Sequence, residues 1–273
     1  MELDFTQPDW LPPVPQLMRV LFVAGEVAPF SETTETAQVL RVMPEALQEQ
    51  KDVEPRILMP RYGVVSERRN RLHEVIRLSG AEIAAGDASD TLKVKVASIP
   101  GIRLQVYFMD SVHFFKRKGL HSDRKSGAVF EDNPARALFF ARAALSTVEK
   151  LGWGPDVVHA AGWISSFVPH VLSNELGESE LFAGCRSVYT PDGPGGYSHL
   201  LSEAEATSLG LPAEFAGRSL RDIGLNAADA VAYVGDDAAA DGEPEGPTLT
   251  ADPETVADTA AALYASLDPA PAV

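Results

Sequence analysis

The sequence predicts an α/β protein built on a doubly wound, mainly parallel sheet. Short apolar runs dense in branched residues recur along the 273-residue chain, the pattern of strands buried on both faces. Stretches with apolar residues at helical spacing fill the larger gaps between them, as crossover helices require. A chain of this length buries roughly 70% or more of its unfolded surface, enough for one large domain.

Residues 1–17 carry four prolines and little periodicity, and read as an irregular arm. The fold begins with MRVLFVA (18–24), a strand. From about Thr34 to Gln50, Ala37, Leu40, Met43 or Ala46, and Leu47 share one stripe of a helix that Pro44 kinks or divides. RILMP (56–60) is the second strand. LKVKVASI (92–99) and LQVYFMD (104–110) are close enough to pair as an antiparallel hairpin. The clearest helix runs from Pro134 to Leu151 behind Asp132 and Asn133, with Phe139, Phe140, Ala143, Ala144 and Leu145 inward. PDVVHA (155–160), RSVYT (186–190) and ADAVAYV (228–234) are further strands, and a helix from Trp163 to about Glu175 joins the first two. After residue 236 an acidic linker leads to one amphipathic helix over 252–266.

The net charge of −16 is concentrated at the C-terminal end: from residue 201 onward 14 acidic residues face only Arg218 and Arg221, a local charge of −12. Such a field repels nucleic acid and anionic membranes, so neither is expected as a partner. Arginine outnumbers lysine 16 to 7, which fits a salt-tolerant cytosol and ordinary solubility charge about equally. No apolar run approaches the ~18 residues of a membrane span and no signal core opens the chain, so the expected location is cytoplasmic. The single cysteine, Cys185, forms no internal disulfide and reads as a buried, inert thiol.

The segment GEVAPFSETTETAQVLRVMPEAL (25–47) resembles, without gaps, the opening of glycogen and starch synthases. The likeness continues through LMPRY (58–62), VYFMD (106–110), EDNPARALFFARAAL (131–145), LGWGPDVVHAAGW (151–163), FVPHVL (167–172) and NAADAVAYV (226–234), and covers roughly 18–236. It implies a Rossmann-like N-terminal half-domain of a two-domain GT-B glycosyltransferase, the second domain lying outside this sequence. In that family glucose passes from ADP-glucose to an α-1,4-glucan, so α-glucan and ADP-glucose are the implied ligands. No cofactor and no metal are implied.

Against the family's first loop, Lys-Thr-Gly-Gly-Leu-Ala-Asp, this chain has Glu32, Thr33, Thr34, Glu35, Thr36, Ala37 and Gln38. Two like charges ~4 Å apart at an effective dielectric of about 20 repel by about 4 kcal/mol, so Glu32 in the lysine position disfavours a diphosphate. Loss of both glycines closes the approach of backbone N–H groups. The family's His-Ala-His-Asp-Trp-His run reads His159, Ala160, Ala161, Gly162, Trp163 and Ile164, and its Thr-Ile-His-Asn reads Thr190, Pro191, Asp192 and Gly193. Glu32, Ala161 and Asp192 therefore mark degenerate catalytic positions.

His159, Trp163, Asp110, Asp132 and Asn133 remain as candidate substrate contacts, each with a plainer reading. His159 ends an apolar strand, Trp163 suits packing, and the other three suit capping at strand and helix ends. HFFKRK (113–118), with Arg124 and Lys125, and the trio Arg68, Arg69 and Arg71 read as solvated basic faces, with a phosphate or acidic-partner site as the alternative. PDGPGGYS (191–198) lacks the lysine of a phosphate loop. Three functions follow as expectations: a catalytically impaired glucan- or partner-binding homologue; an active half working with a separately encoded GT-B C-terminal domain; and a structural or assembly module, with a homo-oligomer interface or the 252–266 helix over its cleft.

Overall fold

The computed structural model describes residues 17–193, 196–235 and 239–268, so the N-terminal arm lies almost wholly outside the described residues. The first half of the chain forms β1 (Met18–Ala24), α1 (Glu35–Glu49), β2 (Val53–Pro60), the single turn α2 (Glu67–Asn70), β3 (His73–Glu74), β4 (Ala81–Ala85) and β5 (Ala88–Ser98). Then come β6 (Gln105–Asp110), the single turn α3 (Val112–Phe115), α4 (Asn133–Leu151), β7 (Val157–Ala161) and α5 (Val168–Asn174). The last part contributes β8 (Arg186–Thr190), α6 (Glu203–Leu209), α7 (Leu220–Ala227), β9 (Ala230–Val231), β10 (Tyr233–Val234), β11 (Thr248–Leu249) and α8 (Pro253–Ser266).

Nine strands form the main sheet in the order β3-β5-β6-β2-β1-β7-β8-β9, with β4 paired to β5 off this path. The β1, β2, β6, β7, β8 and β9 pairings are parallel, while β5 joins β6 antiparallel, with Lys93 opposite Asp110. The doubly wound sheet and its hairpin attachment are thus as the sequence predicts. Burial explains the legibility of the central strands: Val20 to Ala24 are fully excluded from solvent, so every side chain of the run must be apolar.

Local departures have local causes. Pro44 is buried inside α1 without dividing it, because the stripe of Ala37, Leu40, Met43 and Leu47 packed on the sheet outweighs one lost backbone bond. The helix predicted over 163–175 is a short 3-10 turn at Trp163–Ser165 followed by α5, which restarts with Pro169 in its first turn. Proline is tolerated there because its missing N–H would be unpaired anyway. The run 228–234 splits: Ala230 and Val231 pair with β8, whose ladder ends before Pro191, and Tyr233 and Val234 turn to pair with β11. The tail is therefore built into the domain, and α8 buries Val256, Ala257, Ala260 and Tyr264 beside α1. Cys185 is half-buried, its thiol pushed well above the ordinary range by burial and by the nearby charges of Asp156 and Asp229.

Candidate functional site

A cleft of ≈ 530 Å³ opens where the carboxyl ends of β1, β2, β7 and β8 converge. β1 leads to α1 and on to β2 on one side while β7 lies on the other, so this is the place where an open α/β sheet leaves a crevice beyond its strands. Gly25 and Gly162 let the two strand ends meet: Gly25 N–H donates to Ala161 O at 2.8 Å, and a Cβ on Gly25 would sit 3.2 Å from that oxygen. Gly162 has φ +85, a conformation disfavoured for any residue with a side chain.

The first loop wraps around a carboxylate of the chain itself. Glu26 is buried, and its Oε1 accepts from Thr33 N–H at 3.1 Å and from the Ser31 hydroxyl. Its Oε2 accepts from Thr33 Oγ1 at 2.8 Å and Thr34 Oγ1 at 3.1 Å. Four bonds fill the acceptor sites of an ionised carboxylate, and they use the Thr33 N–H that faces the loop's interior. Thr34 also caps α1, accepting from Ala37 N–H at 3.3 Å.

Opposite, Asp192 Oδ2 accepts from Trp163 N–H at 2.9 Å, locking the turn after β7 to the turn after β8. Burial pushes the Asp192 carboxyl up to about 6; the Trp163 bond opposes that, the Glu26 charge adds to it, and Arg221 opposes it. Arg221 holds the Asp192 carbonyl and forms an ion pair with Glu243 at 2.6 Å.

Aromatic rings make the third wall. His121 stacks on Tyr197 with centroids 4.8 Å apart, and Trp163 meets Tyr197 edge-on at 4.9 Å. The wall is held from behind by Arg136, which is fully buried: its Nε donates to Phe114 O at 2.8 Å, and its Nη1 to Leu120 O and Asn133 Oδ1, both at 2.6 Å. Asn133 Nδ2 donates in turn to His121 O at 2.8 Å. Burial and the Arg136 charge both hold the His121 imidazole below its usual range, with Glu26 opposing, so it is neutral at pH 7.

Of the sequence-derived candidates, Ala161, Trp163 and Asp192 line the cleft. Glu32 does not; it is exposed and accepts from Gln38 Nε2 at 3.3 Å, and the loop carboxylate at the cleft is Glu35. His159 is fully buried between Tyr264 Oη at 2.7 Å and Thr190 Oγ1 at 2.8 Å, and burial drives its imidazole down to about 3. Asp110 is buried in an ion pair with Arg61 Nε at 2.9 Å and Lys95 Nζ at 2.7 Å. Asp132 sits at the N-cap of α4 but makes no side-chain cap bond, because its carboxylate is taken by both Arg117 guanidinium nitrogens at 2.5 Å. Asn133 is not among the described lining residues; it stands behind them, holding the His121 carbonyl and Arg136. The HFFKRK segment buries Phe114 and Phe115, whereas Arg68, Arg69 and Arg71 are exposed. Sequence reasoning missed Glu26, Tyr62, His121, Tyr197 and Arg136. Arg136 alone carried a signal, since it shares a helical stripe with Phe139 and Phe140.

The fold and crevice define a doubly wound α/β domain of the kind that binds small ligands beyond its strand ends. The family description "starch synthase catalytic domain" matches residues 19–237, and the chain belongs to that family. The glycogen synthase of Chlorobium luteolum is 38% identical over 172 residues, which cover 63% of this chain and 35% of the relative. That of Chlorobaculum tepidum is 35% identical over 172 residues, with the same coverage. The chain thus matches about a third of the length of these relatives. The catalytic domain of starch synthase IV from Arabidopsis thaliana, bound to ADP and acarbose, shares the fold with a TM-score of 0.64 at 20% identity, over 80% of this chain and 45% of that one. Among the described residues no helix is long and apolar enough to cross a membrane.

Proposed function

We propose that this chain is a glycogen/starch synthase-like domain that binds an α-glucan or related sugar and is impaired in glucosyl transfer from ADP-glucose. The observation that carries this reading is the charge of the cleft: Glu26, Glu35 and Asp192 line it, and no Lys or Arg is among its described lining residues. A departing diphosphate needs positive groups aimed at it, and three carboxylates supply the opposite field. Aromatic faces and carboxylates with hydroxyl partners suit an uncharged polyol instead. The relatives' names as glycogen synthases and the ADP and acarbose of the Arabidopsis structure support the ligand class. α8 contributes no residue to the described lining of the cleft.

Parallel calorimetric titration with maltooligosaccharides and with ADP-glucose tests the reading, alongside an assay of labelled glucose incorporation into glucan. Saturable maltooligosaccharide binding with background incorporation is expected. Robust transfer, by the chain alone or on adding a separately encoded GT-B C-terminal domain, overturns the impairment.

A further inference from the structure

We propose that the cleft selects a protonated amine carried on a sugar-sized ring, a hexosamine-class ligand, over the uncharged and anionic counterparts of the same ring. The inference rests on the preceding reading that the cleft holds a sugar, and it concerns which sugar. The charge at the wall is the first ground. Glu26, Glu35 and Asp192 face the cleft. Arg136 lies behind the aromatic wall, its centre 5.7 Å from the Trp163 ring, and donates to two carbonyls and an amide oxygen. With these groups ionised, and Arg221 beside Asp192 already paired to Glu243, the charge left at the cleft is negative. An ammonium group entering there is attracted, and a phosphate is repelled.

The acceptors are divided in a way that leaves one place for a cation. Glu26 spends its acceptor positions on the first loop, so it acts through its field. Asp192 Oδ2 takes the Trp163 N–H, while Oδ1 has no hydrogen bond among the described residues. A second, independent feature shows that the cleft is incomplete without an occupant. Tyr62 lines it, is 0% exposed, and its hydroxyl has no hydrogen-bond partner among the described residues. A buried hydroxyl left without a partner is destabilising, and a ring hydroxyl of the ligand relieves it. Trp163 and Tyr197 line the cleft and give it an apolar side against which the C–H surface of a pyranose packs. The volume of ≈ 530 Å³ accommodates such a ring with room for its substituents.

The charged or titratable groups around Asp192 are Glu26, Tyr62, Tyr189 and Arg221. Asp192, pushed up to about 6 by burial, loses its negative charge as the medium is acidified, and the His121 imidazole across the cleft, held below its usual range, gains a positive one, so amine binding should weaken as pH falls through about 6 and below. Calorimetry on the full chain at pH 7 and low salt, with glucosamine, N-acetylglucosamine, glucose and glucose 6-phosphate, reads the preference. Glucosamine is expected to bind about tenfold more tightly than glucose, acetylation to remove the gain, and the phosphate to bind weakest. Asp192→Asn should lower glucosamine affinity about tenfold, far more than it lowers glucose affinity. Glu35→Gln, at an exposed position, should lower it severalfold without touching the fold. Equal affinity for glucosamine and glucose, or maltooligosaccharide binding with no glucosamine binding, overturns this inference and leaves the sugar-binding reading intact. Absence of binding by every carbohydrate overturns both.

Discussion

His159 Nδ1 lies 2.7 Å from Tyr264 Oη, a bond that joins the middle of the central sheet to α8. The other ring nitrogen lies 2.8 Å from Thr190 Oγ1 on the neighbouring strand. Both nitrogens are thus served by neutral hydroxyls, one as donor and one as acceptor, with no carboxylate to support a charged ring. The pair makes α8 part of the core and gives His159 a structural role beneath the cleft.

Acid stability follows from that burial. The native chain refuses a proton to His159 until about pH 3, whereas the unfolded chain accepts it near 6.5, so this group's contribution is present above pH 6.5 and is lost as pH falls toward 3. Asp192 has the opposite sign. Held up to about 6, it keeps a proton that the unfolded chain releases between pH 6 and 3.8, and adds stability as pH falls through that window. Moving a titration midpoint by one pH unit corresponds to about 1.4 kcal/mol, which bounds the histidine effect at about 5 kcal/mol and the partly exposed aspartate at less than about 3. Urea unfolding from pH 7 to 4 should show a shallower loss in His159→Gln and a steeper one in Asp192→Asn.

Removing the Tyr264 hydroxyl tests the same bond from the other side. Tyr264→Phe keeps the ring that packs beside α1 and leaves one buried imidazole nitrogen without a partner. A loss of about 1–3 kcal/mol in urea unfolding at pH 7 is expected. An unchanged midpoint would show that the bond to His159 is not what holds α8 on the domain.

The central strands were legible because burial on both faces leaves a continuous apolar run, as in MRVLFVA, and α4 because its start signal and stripe agree. The β10–β11 pair was not, since two-residue strands carry no period and their partnership is set by where the tail lands. The site divides the same way. Ala161, Trp163 and Asp192 directly follow strands or end them, so strand positions alone bring them together. Tyr62, His121 and Tyr197 come from connecting segments whose convergence is a product of packing. Glu32 shows the limit of position matching: the residue aligned with a lysine faces solvent, and the carboxylate three residues on faces the cleft.

Arg136 should be irreplaceable by lysine. Its fork reaches two carbonyls and Asn133 at once from a site without solvent exposure, and a lysine offers a point charge that spans only part of that set. Arg136→Met leaves Phe114 O and Leu120 O without these donors. We expect losses of about 3–5 kcal/mol for Met and nearly as much for Lys, read from urea midpoints.

Cys185 should resist thiol reagents in the native state. Its Sγ lies 3.7 Å from Arg186 O, and burial with two nearby carboxylates keeps the thiol protonated well above neutrality. Reaction with Ellman's reagent at pH 8 should be slow in buffer and prompt in denaturant; a native rate near that of a free thiol would mean that this strand entry opens readily.

The sharpest consequence concerns anions at the first loop. Glu35 opens α1, where helix N–H groups and the macrodipole would otherwise favour a phosphate oxygen, and its side chain lines the cleft. Glu26 behind it already uses the Thr33 N–H. Because Glu35 is exposed, its influence is screened, and its removal should be worth on the order of 1 kcal/mol at low salt, about fivefold in affinity. Pyrophosphate binding, followed by calorimetry, should therefore be very weak in the native chain and about fivefold stronger in Glu35→Gln, with the gain shrinking at about 0.5 M salt. Glu32→Gln is the control. Turned to solvent beside Gln38, it should change pyrophosphate affinity by less than about twofold. If Glu32→Gln gives the larger gain, the loop in solution presents Glu32 to the cleft, and the charge pattern assigned to this site belongs to that residue instead.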